Sequence, residues 1–132
     1  MNKKSKFSIK TLLNSFKHAL RGVKIAVKEE DNAKIHLGIG IIMYVLSAVL
    51  KLKKMEIVAV LFSIGFVVVA ELFNSAIENL CDFVQPNHHK QIKKIKDISA
   101  AAVLISAITA FIIGVLIYTD YLMNIASRFL TP

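Results

Sequence analysis

The sequence predicts an all-α integral membrane fold, with one amphipathic helix at the membrane surface followed by three transmembrane helices. Three observations carry that reading. The chain of 132 residues is 55% hydrophobic with a mean hydropathy of +0.59, too apolar for an ordinary soluble domain and too short for more than one domain. It contains three long apolar runs, at 35–50, 57–80 and 98–119. Upstream of them, apolar and basic residues alternate with helical period.

In the first element, a helix over 7–28, Leu12, Phe16, Ala19, Leu20, Val23, Ala26 and Val27 share one broad face while Lys10, Lys17, Arg21, Lys24 and Lys28 share the opposite one. A helix so divided lies in the membrane interface, with Gly22 its one weak link. It serves either as a plain anchor or as a lid or floor for a site formed with the second transmembrane segment. The run at 35–50 is short for a crossing and has His36 at its head. A buried soluble helix is the alternative there, but three such runs leave almost no polar body to bury them. The run at 57–80 carries Glu71 inside it, and the run at 98–119 is uncharged throughout, reaching the roughly 20 residues that span a bilayer unaided. Pro86 marks the loop between these last two.

Basic residues set the expected orientation. Lys3, Lys4, Lys6, Lys10, Lys17, Arg21, Lys24, Lys28 and Lys34 precede the first crossing, and Lys90, Lys93, Lys94 and Lys96 lie between the second and third; the opposite side has Lys51, Lys53, Lys54 and Arg128. The bias puts the N-terminus and the second loop in the cytoplasm of a multi-pass cell-membrane protein. The net charge of +8 is then a surface facing anionic lipid, and nucleic acid is not an expected partner. A cleaved signal peptide is not expected, because the first long apolar run begins beyond residue 34 and no small-residue cleavage site follows. The single Cys81 excludes an internal disulfide and a cysteine-based metal cluster.

The second crossing ends in a polar seam. On a helix turning about 100° per residue, Glu71, Asn74, Ser75, Glu78 and Asp82 fall on one narrow stripe. Residues 57–70 carry no charge, so Glu71 and Glu78 sit at or near the lipid boundary, where an unpaired carboxylate is expensive and usually functional. A conduit is poorly supported: the third crossing offers only Ser99, Ser106, Thr109, Tyr118 and Thr119, and the first only Tyr44 and Ser47 beyond His36. The polar groups gather instead at the cytoplasmic ends, as Glu29, Glu30 and Asp31, then Glu78 and Asp82, then Lys93, Lys94, Lys96 and Asp97. Carboxylates and lysines at one interface suit a magnesium-bound polyphosphate, since Mg²⁺ takes one or two carboxylates plus phosphate oxygens. There is no G-x-x-x-x-G-K-[ST] loop and no G-x-G-x-x-G, so neither a P-loop nor a protein-kinase nucleotide site is present. A non-enzymatic membrane regulator, with no ATP turnover, and a small cation transporter, with ion flux, are the rival classes; neither accounts for the Lys96-Asp97 pair.

The pattern Glu71-x-x-Asn74-Ser75-Ala76-Ile77-Glu78-x-x-x-Asp82, followed by His88 and His89 and then by Lys96-Asp97-x-x-Ala100-Ala101-Ala102-Val103, resembles the signature of the prokaryotic diacylglycerol kinase family, small three-helix membrane kinases with an amphipathic surface helix. The resemblance extends over nearly the whole chain in segment number, order and orientation. The Asn32-x-Lys34-Ile35-His36 stretch resembles the Gram-positive branch, whose members favour undecaprenol over diacylglycerol as acceptor.

That resemblance implies an ATP-dependent lipid kinase with Mg²⁺ as cofactor. Glu71 matches the general base that takes the proton of the lipid hydroxyl, and Glu30 and Glu78 match the carboxylates that bind magnesium. Asn74, Asp82, Lys96 and Asp97 match residues lining the nucleotide and its γ-phosphate; His18 matches a position near the adenine, and Asn87, His88 and His89 a nucleotide-contacting loop. For His18 the plainer reading is a surface residue, and for the loop a solvated turn. Glu29 and Asp31 read as flanking charges, and Phe62, Phe66 and Phe73 as packing or lipid-facing. Ala33 and Ala19 depart from the family pattern, at positions where relatives carry a bulky and a small polar residue, and so bear on lipid preference. Three helices cannot shield the seam on all sides, and Ser99, Ala100, Ala101, Ala102, Ser106, Ala107, Ala110 and Gly114 allow close helix approach, which points to an oligomer; the family implies a homotrimer with sites between subunits.

Overall fold

In a computed structural model, which describes residues 8–130 with side chains up to Ser127, the chain is helical almost throughout. Lys3, Lys4, Lys6, Phe7 and the side chain of Arg128 lie outside the described residues. Among the described residues there are four helices: α1 (Ile9–Glu29), α2 (Asp31–Val49), α3 (Lys54–Val84) and α4 (Lys90–Leu130). α2, α3 and α4 are long and apolar enough to cross a membrane. α3 and α4 overrun their apolar segments at both ends, because a helix satisfies its own backbone wherever the hydrocarbon stops. α3 therefore carries Glu78 and Asp82 onward in the same geometry as Glu71.

The joints are built differently. Only Glu30 separates α1 from α2, with φ −107° and ψ 116°; its N–H closes α1 on the Ala26 carbonyl at 2.9 Å and its carbonyl receives Lys34 N–H at 3.3 Å. One residue thus ends one helix and starts the next, and its side chain is thrown out at the corner. Between α2 and α3, Lys51 adopts a left-handed conformation with φ 54°. Its N–H bonds to Ala48 O at 3.2 Å and that of Leu52 to Ser47 O at 3.1 Å, the paired bonds of a Schellman ending, with Leu52 buried beneath it. The Lys53 backbone N–H donates to Glu56 Oε2 at 2.8 Å, satisfying one of the open donors at the start of α3.

α3 is the centre of the bundle. It packs along α4 and on α2, while α1 rests lightly on α2 and α3 and no direct backbone packing joins α2 to α4. The core gathers at the α2–α3 turn, where Leu52, Val60 and Tyr118 are buried against Met43, Leu46 and Ile64. Phe62, Phe66 and Phe73 point outward, the first two stacked with ring centroids 6.5 Å apart. Hydroxyls on the apolar helices are satisfied locally: Ser63, Thr109 and Thr119 bond to the carbonyls of Ala59, Ile105 and Val115. The small residues of α4 divide among three settings. Ser99 and Ser106 are buried within this chain, Ala100, Ala101 and Ala102 are exposed, and Ala107, Ala110 and Gly114 line a cavity. Close approach inside one chain therefore accounts for part of a stripe whose sequence pattern pointed to contacts between chains.

Candidate functional site

Polar side chains of α3 meet the α1–α2 corner at the end of the bundle away from the Leu52 core. The seam is graded in burial: Glu71 is 3% exposed, Asn74 and Ser75 are buried, Glu78 is half-buried and Asp82 reaches the surface. A small cavity of about 30 Å³ lies against Glu71, walled by Val23 and Val27 of α1, Ala33, His36 and Leu37 of α2, and Val68 and Leu72 of α3. The C-terminal half of α1 thus closes over the carboxylate, as a lid or floor would. A side chain larger than Ala33 would take up that space.

Glu71 takes part in no hydrogen bond or ion pair among the described residues. The charges close enough to act on it are those of His36, Glu78 and Glu30. Two asparagines hold the other carboxylates. Asn74 Nδ2 donates to Glu78 Oε1 at 3.1 Å, and Asn79 Nδ2 donates to Glu30 Oε1 at 3.2 Å and to Ser75 O at 2.8 Å. Glu30 is thereby drawn from the corner onto α3, whereas Glu29 is exposed and Asp31 pairs with Lys34 at 2.6 Å. Asn74 Oδ1 is buried with no partner among the described residues, an unusual loss for a buried acceptor.

Asp82 forms an ion pair with Lys96 at 2.7 Å, tying α4 to α3 at the rim. The structure brings together Glu30, Glu71, Asn74 and Glu78, with Asp82 and Lys96 beyond them. It does not join the remaining expected residues to this group. Among the described residues His18 stands exposed on α1, and Asn87, His88 and Asp97 are exposed. His89 caps α4: its Nδ1 accepts the Gln91 N–H at 3.2 Å and its carbonyl the Lys93 N–H at 3.0 Å. Asn79 is the contact the sequence pattern missed, and its place at the edge of the stripe beside Glu78 is the only trace it leaves there. His36, noted at the head of the first crossing but given no role, is the second.

The donors fit magnesium carried by a polyphosphate. Both carboxylates are hard oxygen ligands, each steadied through one oxygen by an asparagine amide, so the second oxygen remains for a cation. Among the described residues no three His, Cys, Asp or Glu side chains form a closed metal cage, and Mg²⁺ needs none when phosphate and water complete its shell.

Comparison with known proteins gives concordant results. A family profile described as prokaryotic diacylglycerol kinase matches residues 17–118. The chain is 34% identical over 104 residues to a diacylglycerol kinase of Synechocystis sp., covering 78% of this chain and 59% of that one. It is 33% identical over 104 residues to the undecaprenol kinase of Bacillus subtilis, covering 79% and 85%. A diacylglycerol kinase of Haemophilus influenzae is 33% identical over 95 residues, covering 72% and 80%.

Proposed function

The chain belongs to the prokaryotic diacylglycerol kinase family, and we propose that it is one membrane-embedded kinase domain that transfers the γ-phosphate of Mg-ATP to the hydroxyl of a membrane lipid, undecaprenol in preference to diacylglycerol. The observation that carries the reading is Glu71, a buried carboxylate with no hydrogen bond among the described residues, set in an apolar wall beside His36 and two other carboxylates. Such an arrangement costs stability and is kept where a proton must be taken.

In this reading the lipid oxygen attacks the γ-phosphorus, its proton passes to Glu71, and ADP leaves. Glu30 and Glu78 would hold the magnesium, which would offset phosphate charge. The protein's own work is placement: Asn74 and Asn79 fix the two metal-binding carboxylates, α1 shields Glu71 from water, and Lys96 and Asp97 face the polyphosphate from α4. Phosphoryl transfer asks a protein mainly for position and charge stabilisation. The Asp82–Lys96 pair holds a cation at the rim, where a phosphate can compete for it. His18, Asn87, His88 and His89 are assigned to the nucleotide by family likeness, and His89 would keep its capping role as well.

We further assign α1 to the cytoplasmic membrane surface, the N-terminus to the cytoplasm of a bacterial cell, and the working form to a homotrimer. The preference for undecaprenol rests on the Asn32 to His36 stretch and on the likeness to the Bacillus subtilis enzyme over 85% of its length. Purified protein with Mg-ATP, assayed side by side against undecaprenol and diacylglycerol, tests both levels. Faster turnover of undecaprenol is expected; faster turnover of diacylglycerol reverses the preference, and no lipid-dependent ADP release with either removes the kinase reading.

A further inference from the structure

Two open hydrogen-bonding groups lie on the same stripe of α3, one turn apart. Glu71 is 3% exposed and takes part in no hydrogen bond among the described residues. Asn74 is 5% exposed, and its Oδ1 has no partner among them. Residues three apart on a helix have Cβ atoms about 5–6 Å from each other, so the carboxyl and the amide are within mutual reach. The amide is oriented from its other side. Asn74 Nδ2 donates to Glu78 Oε1 at 3.1 Å, four residues on toward the C-terminus. In a planar amide the oxygen occupies the opposite branch, which leaves Oδ1 turned back toward Glu71. Exchanging the two atoms would set a carbonyl oxygen against the Glu78 carboxylate, acceptor against acceptor. Of the other residues around the Glu71 cavity only His36 is polar, and it makes no hydrogen bond among the described residues. An ionised Glu71 has no proton to offer Asn74 Oδ1, whereas a protonated one has a single O–H. One proton therefore satisfies both groups.

We propose that Asn74 Oδ1 accepts the O–H of Glu71 once the proton of the acceptor lipid has moved to that carboxyl, which makes Asn74 the positioning residue of the protonated base. The inference rests on the lipid kinase reading and goes beyond it by giving the second half of the amide a task in the transfer. In that step the O–H bond of the lipid breaks as its oxygen bonds to the γ-phosphorus. The bond from the γ-phosphorus to the bridging oxygen breaks, ADP leaves with that electron pair, and the proton stays on a Glu71 oxygen. The new hydroxyl then donates to Asn74 Oδ1. Because this bond forms only as the proton arrives, it favours the transition state over the bound substrates and acts on kcat. One amide thus serves both carboxylates of the seam, donating to an ionised Glu78 and accepting from a protonated Glu71.

The test is infrared difference spectroscopy of the full chain in detergent micelles, in acid, where Glu71 carries its proton. Subtracting the spectrum of Glu71→Gln leaves the carboxyl band of Glu71. Its carbonyl stretch should lie where a hydrogen-bonded acid absorbs. In Asn74→Leu, with the same subtraction made in that background, it should rise to the position of a free acid. Asn74→Asp keeps an oxygen in the place of Oδ1 and should keep the band low. A free-acid band in the unsubstituted protein overturns the proposal without any change at Asn74. An unmoved, hydrogen-bonded band in Asn74→Leu overturns it too, since His36 or a neighbouring copy would then hold the proton. With undecaprenol as acceptor, Asn74→Leu should lower kcat about ten-fold, the order of one hydrogen bond lost from the transition state, with KM for the lipid within about two-fold of the unsubstituted protein. An unchanged kcat would mean that the bond has no part in the transfer, and would overturn the proposal. If the unsubstituted protein phosphorylates no lipid, the kinase reading fails separately, while the spectra still report whether Glu71 donates to Asn74.

Discussion

Replacing Glu71 by glutamine should move activity and stability in opposite directions. The carboxylate is 3% exposed, accepts no hydrogen bond among the described residues, and lies near His36 as well as the like charges of Glu78 and Glu30. Glutamine keeps the shape, gives up the attraction to His36 together with the repulsion from the two carboxylates, and exchanges a buried acid for a buried amide. An unpaired buried amide costs about 1–3 kcal/mol, less than an unpaired buried charge, so the thermal midpoint should hold or rise. Activity should fall: a general base is worth about 10²–10⁴-fold, or about 2.7–5.4 kcal/mol of barrier at 1.36 kcal/mol per decade. Because the base acts only when the lipid hydroxyl is attacked, the loss should appear in kcat with the apparent KM for ATP nearly unchanged. Initial rates of lipid-dependent ADP release, and the unfolding midpoint in the same detergent, read the two effects separately. A loss of only a few-fold in correctly assembled protein would mean that the proton leaves by another route. A midpoint that falls together with activity would make Glu71 a structural residue.

Glu78→Gln and Glu30→Gln each remove one of the two charges assigned here to magnesium, so activity should collapse, KM for Mg-ATP should rise and the assembled state should persist; ordinary turnover in Glu78→Gln at ordinary Mg²⁺ would reject the metal assignment. Reversing Lys17, Arg21 and Lys24 to Glu should loosen α1 from anionic vesicles by about 1 kcal/mol per charge near the surface, seen as faster protease cleavage within α1; unchanged cleavage would mean that protein contacts hold it. A Cβ added at Gly40 falls 2.7 Å from Ile64 Cγ2, so Gly40→Ala should destabilise by about 1–3 kcal/mol through overpacking. Adding Ile64→Ala should cost less than the two changes separately, and strict additivity would show that the two helices relax apart instead.

The number and order of the helices were legible in the sequence because each rests on a local signal: long apolar runs for α2 to α4, and the helical spacing of apolar and basic residues for α1. The joints were not. The spacing placed the surface helix at 7–28 and the first crossing at 35–50, yet helix continues on both sides of Glu30, whose own backbone is extended. No glycine or proline marks that break. What accompanies it is a hydrogen bond to Asn79, 49 positions away, and a contact so distant in sequence has no local pattern. Lys51 is a similar case, a left-handed residue where glycine would have announced the turn.

The site shows the same division between local and distant information. Glu71, Asn74, Glu78 and Asp82 could be placed on one stripe because a single helix carries them, and spacing alone decides that. The roles of Asn79 and His36 depend on where α2 lies against α3, which spacing cannot supply. What the assembled geometry adds is the gradient of burial along the seam. Glu71 lies in the apolar wall, Glu78 is half-covered, and Asp82 with Lys96 stands at the surface. A reaction between two soluble partners has no use for such a gradient, and neither does one confined to lipid. It suits a reaction whose acceptor stays in hydrocarbon and whose donor stays in water, the two meeting along about three turns of one helix.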